Sequence, residues 1–271
     1  MRLPTPRDDY GGTIAIIVSL VTTFERELDE RGSVGLGIPG ALSPATGLIK
    51  NANSTWLNGR PFQQDLEAAL ARPVRLANDA NCFALSEAID GAGTGADVVF
   101  GVILGTGCGG GIVVGGRVLS GPNAIAGEWG HNPLPAPRDD EWPGPPCYCG
   151  RTGCVETFLS GPGLARDHAG GGGDPIDAAE IARRAGHGDA VASAALDRYE
   201  NRLSRALTSV VNILDPDVIV LGGGMSNISR LYDSVSRQLQ PFGGDLLRTR
   251  IVPARHGDSS GVRGAAWLWE G

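Results

Sequence analysis

Residues 98–116 read VVFGVILGTGCGGGIVVGG and carry no charged side chain. A stretch of 19 uncharged positions invites a membrane reading, but eight of them are glycine. A spanning helix needs about 20 predominantly apolar residues without such interruption. The stretch divides instead into a strand, Val98–Leu104, a glycine loop, Gly105–Gly111, and a returning strand that ends at a Gly115-Gly116 hairpin turn. A second run of the same kind, DVIVL at 217–221, passes through Gly222, Gly223 and Gly224 into a helix and reads as a buried parallel strand.

Working outward, VGLGI at 34–38 is a short buried strand running into Pro39-Gly40, and Val74–Ala77 delivers NDAN (78–81) to a helix that extends to about Ile89. Ile14, Ile17, Val18, Val21, Phe24 and Leu28 recur at spacings of three and four, one apolar stripe on a helix. Further helices are expected at Pro61–Ala71, at Ala190–Leu214, and at 258–269 with Asp258 or Ser259 as cap. The segment GAGTGAD (91–97) has linker composition. Strands and helices alternate on both sides of it, which predicts two α/β lobes, 1–92 and 93–257, with ligands bound between them at the strand ends. The tail 258–271 is expected to pack against the first lobe.

With 271 residues, 41% hydrophobic and 20% charged, the chain is neither disordered nor fibrous. Its 23 basic and 30 acidic residues give a net charge of −7, which argues against general nucleic-acid binding. The opening MRLPTPRDDY lacks the apolar core of a secretory signal, and five cysteines, three of them crowded together, suit a cytoplasmic setting better than a disulfide framework.

His131, Cys147, Cys149 and Cys154 form the strongest local signal, since three thiolates and an imidazole are the usual tetrahedral set for structural zinc. A disulfide with a spare thiol is the alternative. The glycine loop, Gly105, Thr106, Gly107, Cys108, Gly109, Gly110 and Gly111, can bring backbone N–H groups close to phosphate oxygens, or can simply be a tight hairpin. Gly222–Gly224 can likewise face a nucleotide or serve packing. Asp79 sits where a strand becomes a helix; it is either a helix cap or a carboxylate that accepts a hydroxyl proton in phosphoryl transfer. Glu128, His131 and Glu156 bracket the cysteine loop and suit a polyhydroxylated ligand, although surface polarity explains them equally well.

Together VILGTGCGGGI (102–112), GEWGH (127–131), CYCGRTGCVE (147–156), NDAN (78–81) and DVIVLGGGMS (217–226) resemble the ROK family of repressors, open reading frames and sugar kinases. That family belongs to the actin-like ATPase superfamily with its ribonuclease H-like, two-lobed α/β fold. KNANSTWLNGRPF (50–62), ETFLSG (156–161) and HGDSSGVRGAAWLW (256–269) are most similar to its bacterial fructokinases. The resemblance implies an ATP-dependent kinase converting D-fructose to D-fructose 6-phosphate, with mannose as a side substrate. The alternatives are a glucokinase, an N-acetylhexosamine kinase, or a sugar-binding protein with impaired catalysis. It implies Asp79 as general base and Asn53, Asn78, Glu128, His131 and Glu156 as sugar ligands. Gly105–Gly111 would lie on the ATP phosphates, Gly222–Gly224 on adenosine, Mg²⁺ would arrive with ATP, zinc would be structural, and the protein would be a homodimer.

One departure accompanies the resemblance. The family opens with a strand carrying D-x-G-G-T-K, and this sequence begins after that strand and the next. Gly11-Gly12-Thr13 leads into the helix of residues 14–28 and reads as the start of that helix. An incomplete first lobe, with an unpaired strand edge and a poorly covered Ile14–Leu28 stripe, is the expected consequence, and a shortened chain is its simplest explanation.

Overall fold

The computed structural model describes residues 3–240 and 247–269. Its first helix, α1 (Tyr10–Leu28), takes in Gly11–Thr13, with Asp9 as the cap accepting a hydrogen bond from the Gly12 amide. Next come β1 (Val34–Ile38), the small hairpin β2 (Ala41–Leu42) and β3 (Ile49–Lys50), α2 (Phe62–Leu70), β4 (Val74–Asn78) and α3 (Asp79–Ile89). After residues 91–97 follow β5 (Val98–Leu104), β6 (Cys108–Val114) and β7 (Arg117–Val118). Four helices, α4 (Val155–Leu159), α5 (Gly161–Gly170), α6 (Ala178–Gly186) and α7 (Ala190–Leu214), lead to β8 (Val218–Gly222). The chain closes with α8 (Arg230–Gln238), β9 (Arg250–Pro253) and α9 (Ser260–Trp267).

β5 is the centre of a five-stranded sheet ordered β7-β6-β5-β8-β9, antiparallel to β6 and parallel to β8. Both strands read from continuous apolar runs are there, and every residue of β8 is buried. The second sheet is the parallel pair β1–β4, in register from Val34 opposite Val74 to Ile38 opposite Asn78. Around that pair Phe62, Leu66, Leu70, Val74 and Ile49 form a core against which Ile14, Ile17, Val18 and Val21 pack. The α1 stripe is only partly covered: Ile14, Ile17, Val18 and Val21 are partly buried, while Phe24 and Leu28 face solvent.

α3 is buried from Ala80 to Ala88, all the way round. One side presses on the large sheet at glycines of three adjacent strands. A Cβ on Gly101 would stand 2.7 Å from that of Ala84, one on Gly111 would stand 2.3 Å from the Ala80 carbonyl oxygen, and one on Gly222 would meet the Phe83 ring at 2.5 Å. Close approach of a helix to a sheet requires the missing side chains. The opposite side of α3 meets α9, where Gly264 lies on the Cys82 carbonyl, and α9 continues onto β1, where Gly35 lies on the Ala265 carbonyl. α9 therefore packs against elements of the first lobe, and α3 joins those elements to the large sheet. The cap expected at Ser259 is not made: α9 starts without a side-chain cap, and the Ser260 hydroxyl donates to the Gly257 carbonyl and to Glu87. The Asp258 side chain lies outside the described residues.

Candidate active site

Three strand ends converge. β1 delivers Pro39-Gly40, β4 delivers Asn78-Asp79, and β5 delivers the turn Gly105–Gly107, all lining one polar cleft of about 200 Å³. Asn53, Glu128, His131, Tyr148 and Glu156 complete its walls. Asp79 and the glycine turn thus share one cavity although they lie far apart in sequence.

At the start of α3 the cap is Asn78, not Asp79. The Asn78 side-chain oxygen accepts from the Ala80 and Asn81 amides, and its NH₂ donates to the Gly40 carbonyl at 3.0 Å. Asn78 thus locks the β4–α3 junction to the β1 loop, and it also lines the cleft, where the second N–H of its NH₂ is left over for a ligand. Asp79 is then the first helical residue, with Oδ1 accepting from the Ala80 amide at 2.8 Å. Surrounding protein pushes its carboxyl above the ordinary 3.8, and the hydrogen bond from Ala80 opposes that rise.

The glycine loop is shorter than the sequence suggested. Strand β6 begins at Cys108, so only Gly105–Gly107 form the turn, closed by Gly105 N–H donating to Gly107 O at 2.9 Å. Gly109, Gly110 and Gly111 belong to the strand, where Gly110 lies against Trp129 and the Gly127 carbonyl and Gly111 against α3. The Glu156 carboxylate accepts the Cys108 amide at 2.8 Å, which leaves the Thr106 and Gly107 amides as the turn's N–H groups without a partner among the described residues. Gly222 and Gly223 are also packing residues, on Phe83 and on the Leu104 carbonyl. Gly224 lines a cavity, an apolar one of about 640 Å³ with Pro162, Ala165, Ile176, Met225 and Ile228. It adjoins the polar cleft through Gly105 and Thr106, which line both.

His131, Cys147, Cys149 and Cys154 offer donor atoms that all lie within 4.8 Å of one another. Cys147 Sγ is 3.5 Å from His131 Nδ1 and Cys149 Sγ is 3.6 Å from Cys154 Sγ. Ligands on a tetrahedral zinc with Zn–S of about 2.3 Å stand about 3.8 Å apart, so the set fits that ion. All five cysteines are free, against the disulfide alternative. The other ring nitrogen of His131, Nε2, points into the cleft, 2.9 Å from the Tyr148 hydroxyl.

Three contributors escaped the sequence reading. Tyr148 stands between two cysteines and gave only its position as a clue. Asn51 lines the cleft beside Asn53. Glu141 anchors the cysteine loop to α7 by accepting from Arg202 Nε at 2.8 Å and Arg205 Nη2 at 2.7 Å, contacts across more than sixty residues that no local pattern announces.

A mixed five-stranded sheet and a parallel strand pair, joined by α3 and α9 and opening at their strand ends onto one polar cleft, define a two-lobed actin-like α/β protein. A sequence model of the ROK family matches residues 1–271, and the chain belongs to that family. It is 42% identical over 275 residues to an N-acetyl-D-glucosamine kinase of Citrobacter koseri, covering 98% of this chain and 90% of the relative. Among solved structures it is similar to a ROK hexokinase from Thermus thermophilus, with TM-score 0.84 and 34% identity over 97% of this chain and 87% of the other. A ROK glucokinase from Streptomyces griseus in complex with glucose and AMPPNP gives TM-score 0.78 and 26% identity, over 99% of this chain and 90% of the other. No helix among the described residues is long and apolar enough to cross a membrane.

Proposed function

We propose that this protein is an ATP-dependent hexose kinase acting on the 6-hydroxyl of N-acetyl-D-glucosamine. The observation that carries the kinase reading is the meeting of the Asp79 carboxylate with the unpartnered amides of the Gly105–Gly107 turn in one cleft. Likeness to N-acetyl-D-glucosamine kinases at 42% identity favours that sugar over the fructose expected from sequence motifs. The lobe boundary near residue 92 belongs to the same proposal.

In this reading Glu128, Glu156, His131 and Asn53 hold the sugar hydroxyls, and His131 yields Nε2 from Tyr148 to the substrate. With zinc on Nδ1 the ring proton sits at Nε2, where it donates to a sugar oxygen. Asp79 accepts the proton of the 6-hydroxyl as the sugar O6 bonds to the γ-phosphorus and the bond from that phosphorus to the β–γ bridging oxygen breaks, ADP being the leaving group, while the Thr106 and Gly107 amides donate to phosphate oxygens. The apolar cavity beyond Gly105 takes the adenine, and Mg²⁺ rides on the phosphates. Among the described residues the only cluster of three or more candidate metal ligands is the His131–cysteine set. Zinc there supplies structural cross-linking of the loop. Closure of the lobes over the sugar excludes water, the competing phosphoryl acceptor.

ADP release measured on a panel of N-acetylglucosamine, N-acetylmannosamine, glucose, mannose and fructose tests the substrate. The expected result is kcat/KM for N-acetylglucosamine at least tenfold above that for fructose, within the range one recognised polar group supplies. A preference for fructose would reinstate the sequence expectation, and no turnover on any sugar would leave a sugar-binding protein. Metal analysis of the purified protein is expected to find about one zinc per chain. Folded, active protein without zinc would overturn the metal assignment.

A further inference from the structure

Tyr148 stands in the tight turn that carries Cys147 and Cys149. Pro146 pairs with Thr152, the Cys147 amide donates to the Arg151 carbonyl at 2.7 Å, and the Gly150 amide donates to the Cys147 carbonyl at 3.0 Å. These bonds fix the backbone on both sides of residue 148. The side chain is held far less. It is 79% exposed, and among the described residues its hydroxyl has one hydrogen-bond partner, His131 Nε2 at 2.9 Å. The two rings meet edge to face, with centroids 5.1 Å apart and planes at 87°. Tyr148 lines the polar cleft and also a larger adjoining chamber of about 1220 Å³, so its ring has room to swing out of the cleft. Rotamer changes of exposed side chains are fast, and this one breaks a single hydrogen bond.

Each ring nitrogen of histidine makes one in-plane hydrogen bond, as donor when it carries the proton and as acceptor when it does not. A sugar hydroxyl bound to His131 Nε2 and the Tyr148 hydroxyl therefore exclude each other. The two groups have the same donor and acceptor capacity. In the empty cleft the protein thus supplies its own hydroxyl at a place where a polyhydroxylated ligand would bring one.

Resting on the sugar-kinase reading above, we propose that Tyr148 is a specificity-determining residue whose hydroxyl stands in for a sugar hydroxyl at His131 until the sugar displaces it. The exchange acts in opposite directions on two kinds of sugar. A sugar that brings a hydroxyl to His131 trades one hydrogen bond for another, so it binds more weakly than it would to an unoccupied imidazole. A sugar that lacks this hydroxyl leaves Tyr148 in place, and the ring nitrogen stays paired. Tyr148 thereby narrows the margin between the two and makes the cleft tolerant at that one position of the sugar ring.

The test is Tyr148→Phe, which keeps the ring and removes the hydroxyl. Calorimetric Kd is measured without ATP for N-acetylglucosamine and for its 1-deoxy, 3-deoxy and 4-deoxy analogues, with zinc content and Tm as checks on folding. In the variant the parent sugar is expected to bind roughly two- to tenfold tighter, the weight of one hydrogen bond no longer exchanged. The analogue missing the hydroxyl that faces His131 is expected to bind no tighter, so its Kd relative to the parent grows by about threefold or more. A merely structural role for Tyr148 would weaken all four sugars together. Weaker or unchanged binding of the parent sugar, or relative Kd values that all match wild type, would overturn the stand-in and leave the proposed function standing. If another hexose of the substrate panel is the one turned over, the same series is made on that sugar. No turnover on any of them would overturn the proposed function and this role with it.

Discussion

Asp79→Asn is expected to lower kcat by a factor between roughly 10² and 10⁴, the range in which a positioned general base contributes. The substitution keeps the size of the side chain and the oxygen that accepts from the Ala80 amide, so the α3 terminus should be unaltered. What it removes is the group that, in the proposed function, takes the proton from the attacking hydroxyl. In that same proposal Glu128, His131, Glu156 and Asn53 carry the sugar binding, so calorimetric affinity for N-acetylglucosamine should change by less than about fivefold, a split diagnostic of a chemical rather than a binding role. The pH dependence carries the same signature. Burial raises the Asp79 carboxyl above 3.8, and only its ionised form can accept a proton. Wild-type kcat/KM should therefore fall with unit slope as pH drops through that raised value, and the Asn variant should lack the inflection. Turnover in Asp79→Asn equal to wild type would remove this carboxylate from the mechanism.

The sequence made Asp79, the cysteine–histidine set and the central strands visible for one common reason: each is encoded locally. Val98–Leu104 and the 217–221 run announce themselves by unbroken apolar, β-branched composition. Cys147, Cys149 and Cys154, donors that could hold a metal ion, sit within one short loop, so spacing alone gives the set. Legibility failed where a residue's task is set by a distant partner. The glycines at 109–111 and 222–223 looked like ligand loops because a glycine that admits phosphate and one that admits a helix are identical in sequence. The structure shows that Gly109, Gly111 and Gly222 admit α3, while Gly109 and Gly110 also line the polar cleft. The structural bond of Asn78 to the Gly40 carbonyl went unread because that partner is 38 residues away. The all-round burial of α3 was hidden for the same reason, since its two partners, the large sheet and α9, lie on opposite sides and erase any amphipathic stripe.

A partner of long range is Glu87, which no sequence pattern singled out and whose removal carries the largest stability cost expected here. It lies on α3, fully buried, and among the described residues it makes no ion pair. Its carboxylate accepts from the Ala92 amide at 2.9 Å, the Arg255 amide at 3.0 Å, the His256 amide at 3.2 Å and the Ser260 hydroxyl at 2.8 Å. Ala92 lies on the segment from α3 to β5, and residues 255–260 form the segment from β9 to α9. One carboxylate thus ties together both connections between the large sheet and the α3–α9 pair. Burial on its own would raise the Glu87 pKa; the four donors outweigh it and hold the group below the ordinary 4.5. Glu87→Ala leaves those donors buried and unmatched, so unfolding free energy should drop by about 3 kcal/mol or more. At roughly 2–4 °C per kcal/mol for a chain of this size class, Tm falls by about 6–12 °C. The sign of the pH effect follows from the lowered value. The contribution is complete above 4.5 and is lost as pH falls through the folded-state pKa, so wild type and Glu87→Gln should differ in Tm at pH 7 and converge in strong acid. Glu87→Gln keeps one acceptor but turns an NH₂ toward donors, so it should sit between wild type and Ala at neutral pH. Equal melting of all three proteins at pH 7 would show that the two connections are held by packing at Gly264 and Gly35 rather than by this carboxylate.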